Sequence, residues 1–204
     1  MKNLIYGLVG LLVVAATAIG GFFGWNKQQD VRYSIGDQVE NFTLPSINGS
    51  MISFSEVAGT SGTIIIFTSN TCPFSKLYDD RILQLQDVYG DQGYPVVLIN
   101  PIDPGLKPGD HPDELSKWVS EKDFSGVYLI DNDEVYLRFG AVKTPEVFLL
   151  DAEKKLRYRG AIDNSAQSVE SVTEKYLENA IRALQNQDDP APTETRPLGC
   201  VIKA

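Results

Sequence analysis

The chain has 204 residues, of which 43% are hydrophobic, and a formal net charge of −9. That is enough for one domain of about 150 residues with flanking segments, and the acidic balance excludes the basic footprint of a nucleic-acid binder. Two cysteines and a single histidine exclude a disulfide-dense scaffold and give no basis for a closed zinc site.

Residues 1–26 open with Lys2, followed by an uncharged run from Leu4 to Trp25. As a helix, these residues would be about 33 Å long, enough to cross a bilayer core. The run reads as a signal anchor with Trp25 at the interface. The competing reading is a signal peptide cut after Ala18, at Ala16-Thr17-Ala18. Both place the folded domain outside the cytoplasm: membrane-anchored facing the periplasm or cell surface, or secreted if the leader is removed. Residues 27–34 read as a polar spacer and 35–186 as the domain. Residues 187–204 read as a flexible tail carrying Cys200, with Pro190, Pro192 and Pro197 opposing regular structure.

Within the domain, Phe42-Thr43-Leu44 and Met51-Ile52-Ser53-Phe54 flank Asn48-Gly49 and predict a β-hairpin. The β-branched run from Gly62 to Thr68 predicts a buried central strand. A helix is expected from Pro73 to Tyr89, where Phe74, Leu77, Tyr78, Ile82, Leu85 and Val88 keep helical spacing and Gly90 and Gly93 follow. Val96 to Ile99 predicts a second apolar strand, and a Pro/Gly-rich loop over 101–112 leads to a helix from Pro112 to Lys122. A strand over Val127–Ile130 is followed by a helical turn over Glu134–Phe139. Strands over Glu146–Leu150 and Leu156–Arg159 join at Ala152-Glu153-Lys154, and a helix is expected from Ser168 to Gln185. Strands alternating with helices, then a closing hairpin and helix, predict an α/β domain of three layers around a mixed sheet.

The chemistry concentrates at Cys72, between the 62–68 strand and the helix that Pro73 opens. Proline is preset for the first helical turn and has no N–H to leave unpaired there. The positive end of a helix favours thiolate, the form that attacks disulfides and peroxides.

Thr71-Cys72-Pro73-Phe74-Ser75, with Val142-Lys143-Thr144-Pro145-Glu146 downstream and the opening Ile35-Gly36-Asp37 through Phe42-Thr43-Leu44, resembles the thioredoxin fold. More closely, it resembles the redoxin branch of peroxiredoxin-like, AhpC/TSA-like and membrane-tethered thiol–disulfide oxidoreductases. The resemblance covers roughly residues 35 to 185, and it implies a thioredoxin-like α/β/α fold. It also implies a cis peptide bond at Pro145 packed against Cys72, with Thr144 offering backbone groups to an extended substrate. Two departures stand out. Ser75 occupies the second position of a C-x-x-C motif, so Cys72 stands alone in a C-x-x-S motif. Ser69 fits the hydroxyl three residues before a peroxiredoxin cysteine, while Ile65 stands where that pattern has proline.

Cys200 is the sole internal candidate to resolve an oxidised Cys72. The 14 residues from Gln187 to Cys200 extend roughly 46–50 Å, so reach is no obstacle. Three readings stay open: a resolving cysteine, a permanent staple closing a long loop, and a cysteine unrelated to the redox chemistry. Lys76 and Arg81 could favour thiolate, Arg157 or Arg159 could polarise a peroxide, and His111 sits in the loop before the 112–122 helix. The resulting expectation is an oxidoreductase without cofactor or metal. Its partners would be an external thiol reductant, a peroxide or protein disulfide substrate, and a membrane reached through the N-terminal helix. The alternative is a non-catalytic thioredoxin-fold module that captures a partner or a copper ion.

Overall fold

The computed structural model describes residues 32–203. A mixed five-stranded sheet forms the centre, built from β3 (Gly62–Phe67), β4 (Val96–Asn100), β5 (Val127–Ile130), β7 (Glu146–Asp151) and β8 (Leu156–Gly160) in the order β5-β4-β3-β7-β8. β3 lies parallel to β4 with Ile65 opposite Val97, and antiparallel to β7 with Ile65 opposite Phe148. Every residue of β3 is buried, as expected of a strand with both sheet faces covered.

The alternation of side chains divides the core in two. Ile64 and Ile66 face α2 (Pro73–Tyr89) through Tyr78, Ile82 and Leu85, and share that layer with Leu115 of α3 (Pro112–Lys122) and with Leu177 and Ile181 of α5 (Tyr176–Gln185). Ile65 and Phe67 face the other way, towards Phe42, Phe54 and the Val135 and Phe139 side chains of α4 (Val135–Phe139). Phe67, Phe139 and Phe148 meet edge to face, with ring centroids 5.2–5.6 Å apart. Each fully buried side chain of this size contributes about 1.5–3 kcal/mol, so the two clusters hold the three layers together.

The hairpin forms from β1 (Thr43–Pro45) and β2 (Met51–Ser53). Phe54 leaves the strand to open a single helical turn, α1 (Phe54–Val57). Glu56 closes that turn by accepting a hydrogen bond from the Ser53 N–H at 2.9 Å.

Three expectations need correction. The last helix begins at Tyr176, not Ser168, because the Asn164 carboxamide oxygen takes the N–H groups of Thr173 and Glu174, a side-chain bond that competes with helix. The proposed spacer ends before Tyr33, whose ring is buried 5.3 Å from that of Phe139 and whose N–H donates to Arg138 O. The tail expected to be flexible is laid along the domain. Arg159 and Thr195 pair main chain to main chain with residues of the opposite segment, and Thr195 Oγ1 meets Tyr158 Oη and the Ala161 N–H. Gly160, at φ +135°, permits this approach, because a Cβ there would collide with the Thr195 backbone. The anchor or signal helix of residues 1–26 lies outside the described residues. Among those described, no helix is long and apolar enough to cross a membrane.

Candidate functional site

Cys72 is the N-cap of α2, with extended backbone angles and Pro73 in the first turn. The chain reaches it from β3 through residues 68–71, and the Cys72 N–H donates back to Ser69 O at 3.1 Å. One carboxylate holds this connection. Asp110 Oδ2 accepts from the hydroxyls of Ser69 (2.9 Å) and Thr71 (2.5 Å), and Oδ1 accepts from the Asn70 N–H (2.7 Å) and Asn100 Nδ2 (2.8 Å). Asp110, Ser69 and Asn100 are 1%, 2% and 0% exposed, so the bonds among these three form away from water, where leaving them unmade is expensive.

Cys72 is joined to Cys200 in a disulfide, with Cα atoms 6.0 Å apart. The tail brings Cys200 there as part of β9 (Cys200–Val201), which runs antiparallel to β6 (Lys143–Thr144) with Cys200 opposite Thr144. The Thr144–Pro145 peptide is cis. Thr144 O lies 2.9 Å from Cys72 Sγ. The disulfide sulfur has no proton to donate, so this approach becomes a hydrogen bond only when Cys72 is a thiol. Cys72, 3% exposed, and the half-buried Cys200 line a surface depression of about 450 Å³ together with Pro73, Thr144, Lys107 and Lys203.

Glu146 fixes β6 from behind. Its Oε2 accepts the N–H groups of Val142 and Lys143 at 2.8 and 3.0 Å. Burial pushes its carboxyl above the ordinary value of 4.5, opposed by those two bonds.

The sequence-predicted residues divide clearly. Cys72, Cys200, Thr144 and Pro145 come together, with Ser69 and Ser75 packed beneath: the Ser69 N–H donates to Ser75 Oγ at 3.4 Å, and both serines are buried. The Ser69 hydroxyl proton goes to Asp110. Arg81 is withdrawn into a buried ion pair with Asp163 at 2.6 Å. Lys76 lines a separate cavity between α2 and α3. Arg157 pairs with Asp151 and Asp189, and Arg159 pairs with Glu194. Neither arginine lines the Cys72 depression. His111 is exposed at the start of α3, where Nδ1 accepts from the Asp113 N–H at 3.4 Å.

Sequence reasoning did not single out Asp110, Glu146, Lys107 or Lys203. Glu146 left a usable signal, a charged residue standing directly before the apolar run Val147–Leu150. Asp110 left none, because its partners lie up to 41 positions away.

The AhpC/TSA family model matches residues 35–159, more than half of the chain. An uncharacterized conserved protein from Geobacillus kaustophilus is similar in structure, with a TM-score of 0.78, 28% identity, and coverage of 84% of this chain and 93% of that one. A hypothetical protein from Sinorhizobium meliloti 1021 reaches 0.77 at 29% identity, covering 83% and 94%. The peroxidoxin BcpB of Mycobacterium tuberculosis shares the fold at a TM-score of 0.57 and 18% identity, covering 76% and 98%. No curated protein matches in sequence. With its mixed sheet, its cysteine at the start of α2 and its match over residues 35–159, the chain belongs to the AhpC/TSA family of thioredoxin-fold redoxins.

Proposed function

We propose that the protein is a thiol–disulfide oxidoreductase in which Cys72 is the nucleophile and Cys200 resolves it. The observation that carries this reading is the Cys72–Cys200 disulfide at the N-terminus of α2, against Thr144 and at the mouth of an open depression. A staple that served stability alone would have no need of that position.

The cycle conserves atoms and electrons. The Cys72 thiolate attacks one sulfur of a substrate disulfide, forming a mixed disulfide and expelling the other substrate sulfur as thiolate. The Cys200 thiolate then attacks Cys72 Sγ, releasing the second substrate thiolate and closing the Cys72–Cys200 bond. The substrate gains two electrons, and an external dithiol restores the enzyme by the reverse exchange. Ser75 cannot perform the resolving step, which leaves that task to the tail.

Disulfide exchange is favoured over peroxide reduction because the depression lacks an arginine among its described lining residues and the Ser69 hydroxyl is committed to Asp110. Peroxide attack would benefit from both groups being free. The apolar run from Leu4 to Trp25 supports a membrane-anchored, extracytoplasmic site of action, to be checked by fractionation of the full-length chain.

The test is turnover of the full-length chain and its Cys72→Ser and Cys200→Ser variants with a protein disulfide and with hydrogen peroxide, under excess dithiol. Disulfide turnover should be lost in Cys72→Ser, and Cys200→Ser, reduced beforehand and then freed of dithiol, should stall at the mixed disulfide in a single turnover. Peroxide turnover without disulfide turnover would overturn the substrate assignment. No turnover of either would leave a binding module with a structural disulfide.

A further inference from the structure

We propose that the β6 edge, Val142 to Thr144, selects an extended segment with glycine immediately before its cysteine, and that residues 198–202 of the tail are its tethered occupant. The inference rests on the disulfide-exchange reading above and adds the substrate class to it. Cys200 stands opposite Thr144 and Val201 opposite Lys143, while the Ile202 N–H donates to Val142 O at 3.0 Å. The residue whose sulfur meets Cys72 is therefore set in register by the backbone of Thr144.

Gly199 defines the selectivity. Its backbone is not in the left-handed region, so conformational freedom does not explain the glycine. A Cβ at this position would collide with the Thr144 carbonyl and lie 3.1 Å from Pro145 N. These are main-chain atoms next to a segment that Glu146 holds by two hydrogen bonds, so they cannot swing aside as a flexible side chain would. The following position is unrestricted, since Val201 is 64% exposed. Ile202, one residue further, packs against the cluster of Phe42, Phe54 and Phe139. The edge thus accepts glycine, cysteine, any residue, then an aliphatic residue. Exposed Phe74, Leu106 and Val142, each adjoining residues of the site, add apolar surface suited to a polypeptide. An incoming peptide and the tail compete for one edge, so reduction must free residues 198–202 before a partner docks.

The test uses the full-length Cys200→Ser chain and two peptides, one containing Gly-Cys-Val-Ile and the other Ala-Cys-Val-Ile. Each peptide carries its cysteine as a mixed disulfide with thionitrobenzoate. Cys72 attack forms the Cys72–peptide disulfide and expels the thionitrobenzoate thiolate, whose absorbance gives the rate. Mercaptoethanol corrects for the intrinsic reactivity of each peptide. The glycine peptide should react about tenfold faster after correction, the factor that accompanies about 1.4 kcal/mol and lies within the range for forcing a methyl into a packed contact. In the chain with both cysteines, Gly199→Ala should shift the Cys72–Cys200 equilibrium about tenfold towards the dithiol. Equal corrected rates, or an unchanged equilibrium, overturn the edge selectivity while leaving disulfide exchange standing. Failure of Cys72 to react with either peptide or with the free aromatic disulfide reagent overturns the exchange reading itself, and this inference with it.

Discussion

Replacing Asp110 with alanine should destabilise the oxidised protein by about 4 kcal/mol, while asparagine at the same position should cost about 1 kcal/mol. The figures follow from which donors lose their acceptor. Thr71 is exposed and Asn70 half-buried, so water can replace the carboxylate at both. Ser69 and Asn100 are 2% and 0% exposed, and each stranded donor there costs about 1–3 kcal/mol. Asparagine keeps an oxygen for the Asn70 N–H and Asn100 Nδ2. Its amide nitrogen falls at the Oδ2 position, where the Ser69 and Thr71 hydroxyls can rotate to accept. Urea unfolding of the full-length chain, followed by tryptophan fluorescence, measures both variants. A cost below about 1 kcal/mol for alanine, or equal costs for the two, would refute the view that Asp110 ties down the segment entering Cys72.

Asp163→Ala should cost about 3–5 kcal/mol in the same assay, because it strands the buried Arg81 guanidinium and removes the acceptor of the Tyr78 hydroxyl; a cost within experimental error would contradict the pairing. Glu146→Gln preserves an acceptor for Val142 and Lys143 and removes a carboxyl that burial holds above its ordinary value. A folded carboxyl with a raised value binds its proton more readily than the unfolded one. Its contribution therefore grows as pH falls from neutrality towards 4.5. Burial acts in the same direction on Asp79 and Asp131. The glutamine variant should be at least as stable as the parent at pH 7, with a flatter stability profile from there to about pH 4.5. A steeper profile would show the sign to be wrong. Cys200→Ser should lower stability by at most about 5 kcal/mol, the chain-entropy limit for so long a loop. A larger loss would mean that the native fold depends on the closed disulfide.

Much of the architecture was legible because it is local. The short all-apolar stretches at Ile64–Phe67, Val96–Ile99 and Val147–Leu150 read as buried strands, and Pro73 with the spacing of Tyr78, Ile82 and Leu85 marked α2. Cys72 stood out because its position at a helix start is itself a local fact. The capping pair Ser53 and Glu56 was equally local, and reading it would have turned Phe54 from strand to helix. What escaped depends on distant partners. The tail has no periodicity because it borrows edges already made, first at Arg159 on β8 and then at Thr144 on β6. Arg157 and Arg159 were read as candidates for chemistry. They alternate with buried Leu156 and Tyr158 on β8; Asp151, across the β7–β8 turn, is a local partner of Arg157, but Asp189 and Glu194 lie in the tail, where no pattern along the chain connects them to these arginines.

The central claim is that the Cys72–Cys200 bond opens and closes in the folded protein. Equilibrating the full-length chain in graded thiol–disulfide buffers, with alkylation to count free thiols and circular dichroism to follow the fold, tests it directly. Both thiols should appear together while the spectrum stays native, and one equivalent of a disulfide substrate should close the bond again. A disulfide that opens only as the chain unfolds would contradict it.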